Sequence, residues 1–529
     1  MPERRQSVTR KDRPNILFIM ADALRWDALG CNGNQIVQTP NIDRLAREGI
    51  RFTNAYTTNP FCSPARASVL TGRWPHAHGL WDNGVRISHE TTTLATVLET
   101  AGYRTGIVGK GHLDVHYNAP DSPDHVFDWD DPVRASEMTG RHYFGFREQA
   151  RTCAHSKAAG HYGAWLYREH PDAVPLLDRD RALSEPVGEC WKSALPVELH
   201  SSTYVGDRAV EFLEPYDSSR YSAGQRPFCL WMSFPDPHGP LCPPMPFAEM
   251  YDPREMPLPR RREGETRDKP PHFRGEVDSP YADWRPYGPG QRANETRQDE
   301  HEQLKKAYYY ALVSLIDVNV GRVIEALERT GELDNTLVVF MSDHGNMLGD
   351  HWTDGYAIWH YDRAIRVPFV VRFPTLGEAG RSVNDLISLA DFAPTVCELT
   401  GVPYTSWPPQ PGQHPGGLAR PGTLPDVQGQ SLLPLLRGEG SGRSHVLIEY
   451  ESRFNPGLHL KTLRTPRYRL TYYAGRPYGE LYDLQEDPDE FVNRWGDPAM
   501  QGIRAELIAL LLDEVVRTEG RLPPRVAPN

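Results

Sequence analysis

No apolar run in this 529-residue chain is long enough to cross a bilayer, so no membrane span is expected. The opening segment, MPERRQSVTRKDRPNILFIMADALR, lacks the apolar stretch of a signal peptide, and its short run Ile16–Met20 reads as a core strand leading into Asp22. A soluble, cytoplasmic protein is the expectation. Long basic runs are also missing, and the formal net charge is −12, which argues against nucleic acid as the main partner. An acidic chain that binds an anion must build a locally positive site. The seven cysteines (Cys31, Cys62, Cys153, Cys190, Cys229, Cys242 and Cys397) are odd in number and contain no C-x-x-C pair. Neither a disulfide framework nor a structural zinc site is expected from them.

What is present reads as globular: 39% hydrophobic and 24% charged residues. Apolar strand-like runs at Asn15–Met20, Thr105–Val108, Phe228–Phe234, Thr336–Met341 and Val367–Phe373 alternate with amphipathic helices. Pro40 opens a helix after Thr39, where its missing N–H costs nothing, and that helix runs to about Glu48. Another lies around Leu94–Ala101, and a long one spans about Glu302 to Arg329. The pattern predicts an α/β fold, a large mostly parallel sheet sandwiched by helices, over residues 1–440. From 441 to 529, strand-like segments His445–Tyr450, Tyr468–Tyr473 and Glu480–Leu484 and a helical stretch at 498–518 predict a smaller α+β subdomain. Two segments rich in proline and glycine, 255–300 and 403–425, read as surface excursions, with Trp284, Tyr287 and Trp407 able either to wall a pocket or to sit on solvated loops.

In open α/β sheets ligands bind beyond the carboxyl ends of the strands. Here those ends deliver Asp22, then Lys110 and His112, then Asp236 and His238, then Asp343 and His344. Each alone has an ordinary explanation: a helix cap for Asp22, a solvated Lys110, satisfied core histidines, a turn at Asp343-His344-Gly345. Together at four strand ends they describe a rim suited to a metal and an anion. Cys62-Ser63-Pro64-Ala65-Arg66 then places a cysteine where a helix starts, and free N–H groups there favour negative charge. A buried apolar cysteine and a thiolate nucleophile are the competing readings.

The same five residues match the C-x-P-x-R motif of sulfatases, and the match runs on through Ala67-Ser68-Val69-Leu70-Thr71-Gly72-Arg73. The chain also resembles that family at Arg13-Pro14-Asn15 with Asp22, at Gly109-Lys110-Gly111-His112-Leu113, at Asp236-Pro237-His238, at Ser342-Asp343-His344-Gly345 and at Glu480-Leu481-Tyr482-Asp483-Leu484. The resemblance covers essentially the whole chain. It implies an alkaline-phosphatase-like fold and a formylglycine made from Cys62 by a formylglycine-generating enzyme. Asp22, Asp343 and His344, with residue 62, would hold one divalent metal ion. Hydrated formylglycine would attack the sulfur of a small-molecule sulfate ester, and elimination would release sulfate and an alcohol. Arg66 and Lys110 would support the nucleophile and the sulfate oxygens; His112 would take a proton; His238 would contact sulfate or protonate the leaving oxygen. Asn83, beyond the same motif, is a candidate anion contact.

Three departures from the family pattern stand out. Ala23 occupies the place of a second early carboxylate, and His344 stands where asparagine is frequent. Losing an oxygen donor and gaining an imidazole shifts the expected ion from calcium toward manganese. Tyr356 stands where a second lysine is frequent, with His360 nearby to compensate, or else the substrate carries less charge. The Asp-His pair without a second early aspartate also resembles phosphonate monoester hydrolases, although Lys110 and His112 return the chain to the sulfatase side. Sulfate ester hydrolysis therefore ranks first and phosphonate monoester or phosphodiester hydrolysis second. A non-catalytic binder and an unmodified cysteine hydrolase remain as alternatives, and homo-oligomer formation is left open.

Overall fold

The computed structural model describes residues 13–114, 143–152, 156–214, 226–274, 295–404, 427–451 and 458–519. Cys153, Trp284, Tyr287 and Trp407 lie outside them. Eight strands form the main sheet: β1 (Asn15–Ala21), β2 (Ile50–Tyr56), β3 (Arg104–Gly109), β4 (Glu148–Arg151), β5 (Phe228–Ser233), β6 (Thr336–Ser342), β7 (Arg366–Arg372) and β8 (Arg381–Ser388). Their order is β4-β3-β5-β1-β6-β7-β2-β8, and only β7 runs against the rest. Pro368 in β7 has no N–H to give the ladder, and the register of β2 slips opposite it, between Phe52 and Ala55.

β1 is buried over its full length. That follows from helices on both faces, which require apolar residues at every position instead of in alternation. The principal helices are α1 (Pro40–Glu48), α2 (Cys62–Thr71), α3 (Leu94–Thr100), α4 (Ser201–Leu213), α5 (Glu295–Arg329) and α6 (Phe392–Thr400). Ile16, Phe18 and Met20 face α2, α3 and α6, through residues such as Val69, Leu98 and Phe392. Leu17, Ile19 and Ala21 face α1, α4 and α5, through Ile42, Val205 and Leu312. The sequence patterning thus carried β1, β3, β5, β6 and β7 and the strand-helix alternation. It missed β2, β4 and β8, which keep partly exposed polar residues, and it started α5 at Glu302 instead of Glu295. Among the described residues no helix is long and apolar enough to cross a membrane.

A second, antiparallel sheet follows, with strands β9 (Val446–Glu451), β10 (His459–Arg464), β11 (Tyr468–Tyr473) and β12 (Gly479–Asp483) in the order β12-β11-β10-β9. β10, with His459 and Lys461 on its half-buried positions, is the strand the sequence did not announce. Helix α7 (Gln501–Thr518) covers one face, where Leu447, Leu463, Leu470 and Leu481 meet Leu507 and Leu511. The other face carries Tyr450, Leu460, Tyr473 and Tyr482 onto Phe61, Trp359 and Tyr361 of the main body. The expected excursion at 255–300 is in part a packed strap: His351 N–H donates to Arg260 O at 2.9 Å and Arg260 N–H to Asp350 Oδ1 at 2.8 Å.

The two sheets are also clamped by charge. His76 Nδ1 lies 2.8 Å from Glu449 Oε1, and its Nε2 lies 2.7 Å from Thr518 O. Both nitrogens face acceptors, so the ring is held as the imidazolium. Burial pulls the imidazole pKa down, but the hydrogen bond and charge of Glu449 outweigh it and hold it above the usual histidine value. A raised folded-state pKa stabilises the fold below the unfolded value and stops doing so as pH rises through the folded value. Urea unfolding at pH 6 should therefore cost His76→Gln about 1–3 kcal/mol relative to wild type, and the gap should shrink by pH 9. A gap that does not depend on pH would dismiss the clamp.

Candidate active site

Register builds the site. Ala21 pairs with Ser342, so the next residues, Asp22 and Asp343, leave adjacent strands side by side. Gly109 pairs with Ser233, so Lys110 emerges beside them, with its N–H donated to Ser233 O at 2.8 Å. Gly109 has φ +90, and a Cβ there would collide with the Ser233 carbonyl. Helix α2 starts at Cys62 and all ten of its residues are buried. Phe61 has no side chain to cap it; instead Asn83 Oδ1 accepts the Ser63 N–H at 2.9 Å.

Asp22, Cys62, Asp343 and His344 each offer one donor atom, and these atoms lie within 4.8 Å of one another, all buried. Cys62 Sγ is 3.5 Å from Asp22 Oδ1 and 3.2 Å from His344 Nε2. His344 Nδ1 sits 2.9 Å from Gly345 O, which can only accept, so the proton is on Nδ1 and Nε2 turns its lone pair into the cluster. Asp343 Oδ1 accepts from Ala23 N at 3.1 Å and from His344 N at 2.9 Å. Ala23, in left-handed backbone with φ 60, thus supplies a backbone donor to the carboxylate. Ser342 and Tyr309 brace the same turn, accepting from Leu24 N at 2.9 Å and Arg25 N at 2.8 Å.

Two buried cations balance the two carboxylates. Arg66 Nε donates to Asp343 Oδ2 at 2.9 Å, while Nη1 donates to Lys110 O and Ser233 Oγ at 2.8 Å each. Lys110 Nζ donates to Asp22 Oδ2 and lies 3.6 Å from Cys62 Sγ. Burial works against the Lys110 ammonium, yet Asp22 outweighs it and holds the pKa above the ordinary lysine value. Burial, reinforced by Asp22, pushes the Cys62 thiol far above the ordinary cysteine range, with Lys110 offsetting only part.

On the outer side, Tyr356 Oη lies 2.5 Å from His238 Nε2, and His238 Nδ1 lies 2.6 Å from Gly239 O. The carbonyl takes the Nδ1 proton, so Tyr356 donates to Nε2. Burial lowers the His238 pKa to about 4, so the ring is neutral near pH 7. The Tyr356 ring stands 4.1 Å, centroid to centroid, from that of His344. His112 is buried, with φ 62, two residues beyond Lys110 at the same strand end. His360 is buried with Nδ1 2.7 Å from Thr462 Oγ1, so this ring faces β10 of the second sheet.

The structure therefore gathers Asp22, Cys62, Arg66, Lys110, His238, Asp343, His344 and Tyr356 into one connected set, with Asn83 a hydrogen bond away at Ser63. Ser233 and Tyr309 were not legible in the sequence: a serine closing an apolar strand and a tyrosine in an amphipathic helix look like packing residues.

A large α/β sheet with a metal-type donor cluster at its strand ends, joined to a four-stranded antiparallel subdomain, defines the alkaline-phosphatase-like class of hydrolases. Residues 14–402 match the sulfatase family model, and residues 417–517 match that for the N-sulphoglucosamine sulphohydrolase C-terminal region. The chain belongs to the sulfatase family. It is 28% identical over 488 residues to an arylsulfatase of Clostridium perfringens, covering 91% of this chain and 90% of that one. It is 28% identical over 495 residues to a choline-sulfatase of Rhizobium meliloti, covering 92% and 83%. Among solved structures it resembles the phosphonate monoester hydrolase of Agrobacterium radiobacter, with a TM-score of 0.75, 26% identity and 96% of each chain covered.

A thiol this far from ionising is a poor nucleophile. Iodoacetamide at pH 8 should label all seven cysteines of unfolded, unmodified chain but leave Cys62 untouched in the folded, metal-stripped protein. Rapid alkylation of folded Cys62, read by peptide mass, would revive the cysteine-hydrolase alternative.

Proposed function

We propose that this protein hydrolyses a sulfate monoester with a formylglycine made from Cys62, releasing sulfate and an alcohol. The observation that carries the proposal is the placing of Cys62 within 4.8 Å of the donor atoms of Asp22, Asp343 and His344. Two carboxylates and an inward-facing imidazole lone pair suit a divalent cation, and Gly345 O, Ala23 N–H, Arg66 and Lys110 orient them. Asp22, Asp343, His344 and residue 62 would hold such a cation, whose positive charge would make the hydroxyl of residue 62 more acidic. Residue 62 as hydrated formylglycine would supply a geminal diol, one hydroxyl of which would form the bond to sulfur as the S–O bond to the alcohol breaks, while the other, on losing its proton, would re-form the aldehyde as sulfate departs.

This chain's residues do the rest. Arg66 and Lys110 hold Asp343 and Asp22 by hydrogen bonds and present positive charge to sulfate oxygens. Tyr356 and His238 form the outer wall: the Tyr356 hydroxyl would give its proton to the leaving oxygen, and His238, neutral near pH 7 with its Nδ1 proton on Gly239 O, orients that hydroxyl instead of protonating the leaving group itself. His112 is assigned the proton of the second hydroxyl, and Asn83 keeps the start of α2 in place. His360 belongs to the contact between the sheets, so compensation for a missing lysine falls to Tyr356. Phosphonate monoester hydrolysis is the second reading, favoured by the resemblance to the Agrobacterium enzyme and by a neutral Tyr356 beside His238.

The deciding assay compares para-nitrophenyl sulfate with para-nitrophenyl phenylphosphonate, using protein co-expressed with a formylglycine-generating enzyme and Cys62→Ala as control. Faster sulfate turnover, lost in the control, is expected; faster phosphonate turnover would promote the second reading. In metal-stripped enzyme, manganese should restore more activity than calcium, because His344 adds a nitrogen donor. His344→Ala should weaken manganese binding by about 10–100-fold in calorimetry. Unchanged affinity would remove His344 from the metal set.

A further inference from the structure

Outside the donor cluster, a second concentration of buried charge lies between the strap at 260–274 and the loop that carries Tyr356. That loop is strained: Leu348, His351, Trp352 and Ala357 all have left-handed backbone, with φ of 46, 57, 60 and 64, as do Gly349 and Gly355. Side chains rarely adopt such angles unless the surroundings enforce them. The strap enforces the first half. His351 N–H donates to Arg260 O at 2.9 Å, Arg261 Nε to Gly349 O at 2.9 Å, and Trp352 Nε1 to Arg262 O at 3.2 Å.

The second half is tied by Ala357 N–H to Pro60 O at 3.0 Å and Met347 N–H to Gly355 O at 2.7 Å, and one side chain bridges its two ends. Lys269, 4% exposed, places Nζ 2.7 Å from Tyr361 Oη, 3.4 Å from Glu490 O and 3.5 Å from His351 Nδ1. The ammonium stands 4.7, 5.6 and 5.8 Å from the ring centres of Tyr361, Phe273 and Tyr482, a three-sided aromatic cage. His351 stacks on Tyr361 at 4.2 Å with planes 10° apart. One cation therefore fastens both His351 and Tyr361, and Tyr356 lies on the chain between them.

We propose that Lys269 is a positioning residue for the Tyr356–His238 pair, setting Tyr356 through the His351–Tyr361 stack. The proposal rests on the reading that Tyr356 and His238 face the substrate. Charge is what a cage of rings and a carbonyl oxygen recognise, so an uncharged side chain of equal length should not replace it. The titratable groups facing Lys269 are Glu265, His351, Tyr361 and Tyr482, with Arg469, Glu480 and Glu490 behind them. Burial, only partly offset by Glu265, pulls Lys269 down to about 8, whereas burial raises Glu265 to about 7. The grip on the loop thus weakens as pH rises past about 8.

The test compares wild type, Lys269→Met and Lys269→Arg in steady-state kinetics from pH 6 to 10, and in hydrogen exchange of the peptide spanning residues 346–361. Lys269→Met should lose roughly ten- to hundredfold in kcat/KM at pH 7, should lack the wild-type decline above pH 8, and should exchange faster in that peptide but not in α2. Lys269→Arg should recover most of the rate. Tyr361→Phe, which deletes only the hydroxyl contact, should move the same readouts in the same direction if Lys269→Met does not fold. Wild-type kinetics and exchange in Lys269→Met would overturn the proposal, as would faster exchange everywhere at once. If the wild type turns over neither ester, the proposed function fails, and the exchange contrast alone decides the role of Lys269.

Discussion

Two carboxylates without solvent exposure, aimed at a common point, would repel each other and take up protons if nothing opposed them. Arg66 and Lys110, buried beside them, set a positive charge directly against each carboxylate. Much else in the molecule serves that balance. Arg66 reaches Asp343 because α2 is buried on every side. Lys110 reaches Asp22 because Gly109 lets the end of β3 press against Ser233. The register of β1 between β5 and β6 brings the two acids out together. A buried pair left with one missing partner is expensive, so each of these residues constrains the other three.

The same logic explains how the second sheet relates to the first. Among the described residues it contributes no donor to the cluster, yet its inner face supplies Tyr450, Tyr473 and Tyr482 to the wall that carries Phe61 and Tyr361. Phe61 immediately precedes Cys62, and its ring is 5.6 Å from that of Tyr356 and 6.3 Å from that of Tyr450. The subdomain thus acts as a backing plate for both the start of α2 and the Tyr356 loop.

How much of this the sequence disclosed follows physical lines. Strands buried on both faces announce themselves as apolar runs, and the polar residue that ends each run is conspicuous because it breaks the run. Asp22, Lys110 and Asp343 were legible for that reason. Cys62 was legible through its helix-starting context and the family resemblance. Half-exposed edge strands such as β8 carry too few apolar residues to stand out, and β10 hides its core positions among charges. His360 shows the limit most clearly: proximity in sequence to Tyr356 suggested a shared task, but the chain turns between them and the ring meets Thr462. The strap at 260–274 was read as a solvated excursion because proline, glycine and charge dominate it. Its anchors are single hydrogen bonds and one buried lysine, for which no periodic pattern exists.

The enclosure of Cys62 also sets an order in time. Its helix is sealed by residues that come far later in the chain: Trp74 Nε1 donates to Leu447 O at 2.9 Å, and Phe61 packs on Tyr450. Until a ribosome has released that distant stretch, the cysteine motif is a nascent segment that another protein can grip in extended form. Once the last sheet closes, the motif is no longer offered as an extended segment. An enzyme that must grip it in that form to rewrite Cys62 would therefore compete with folding itself.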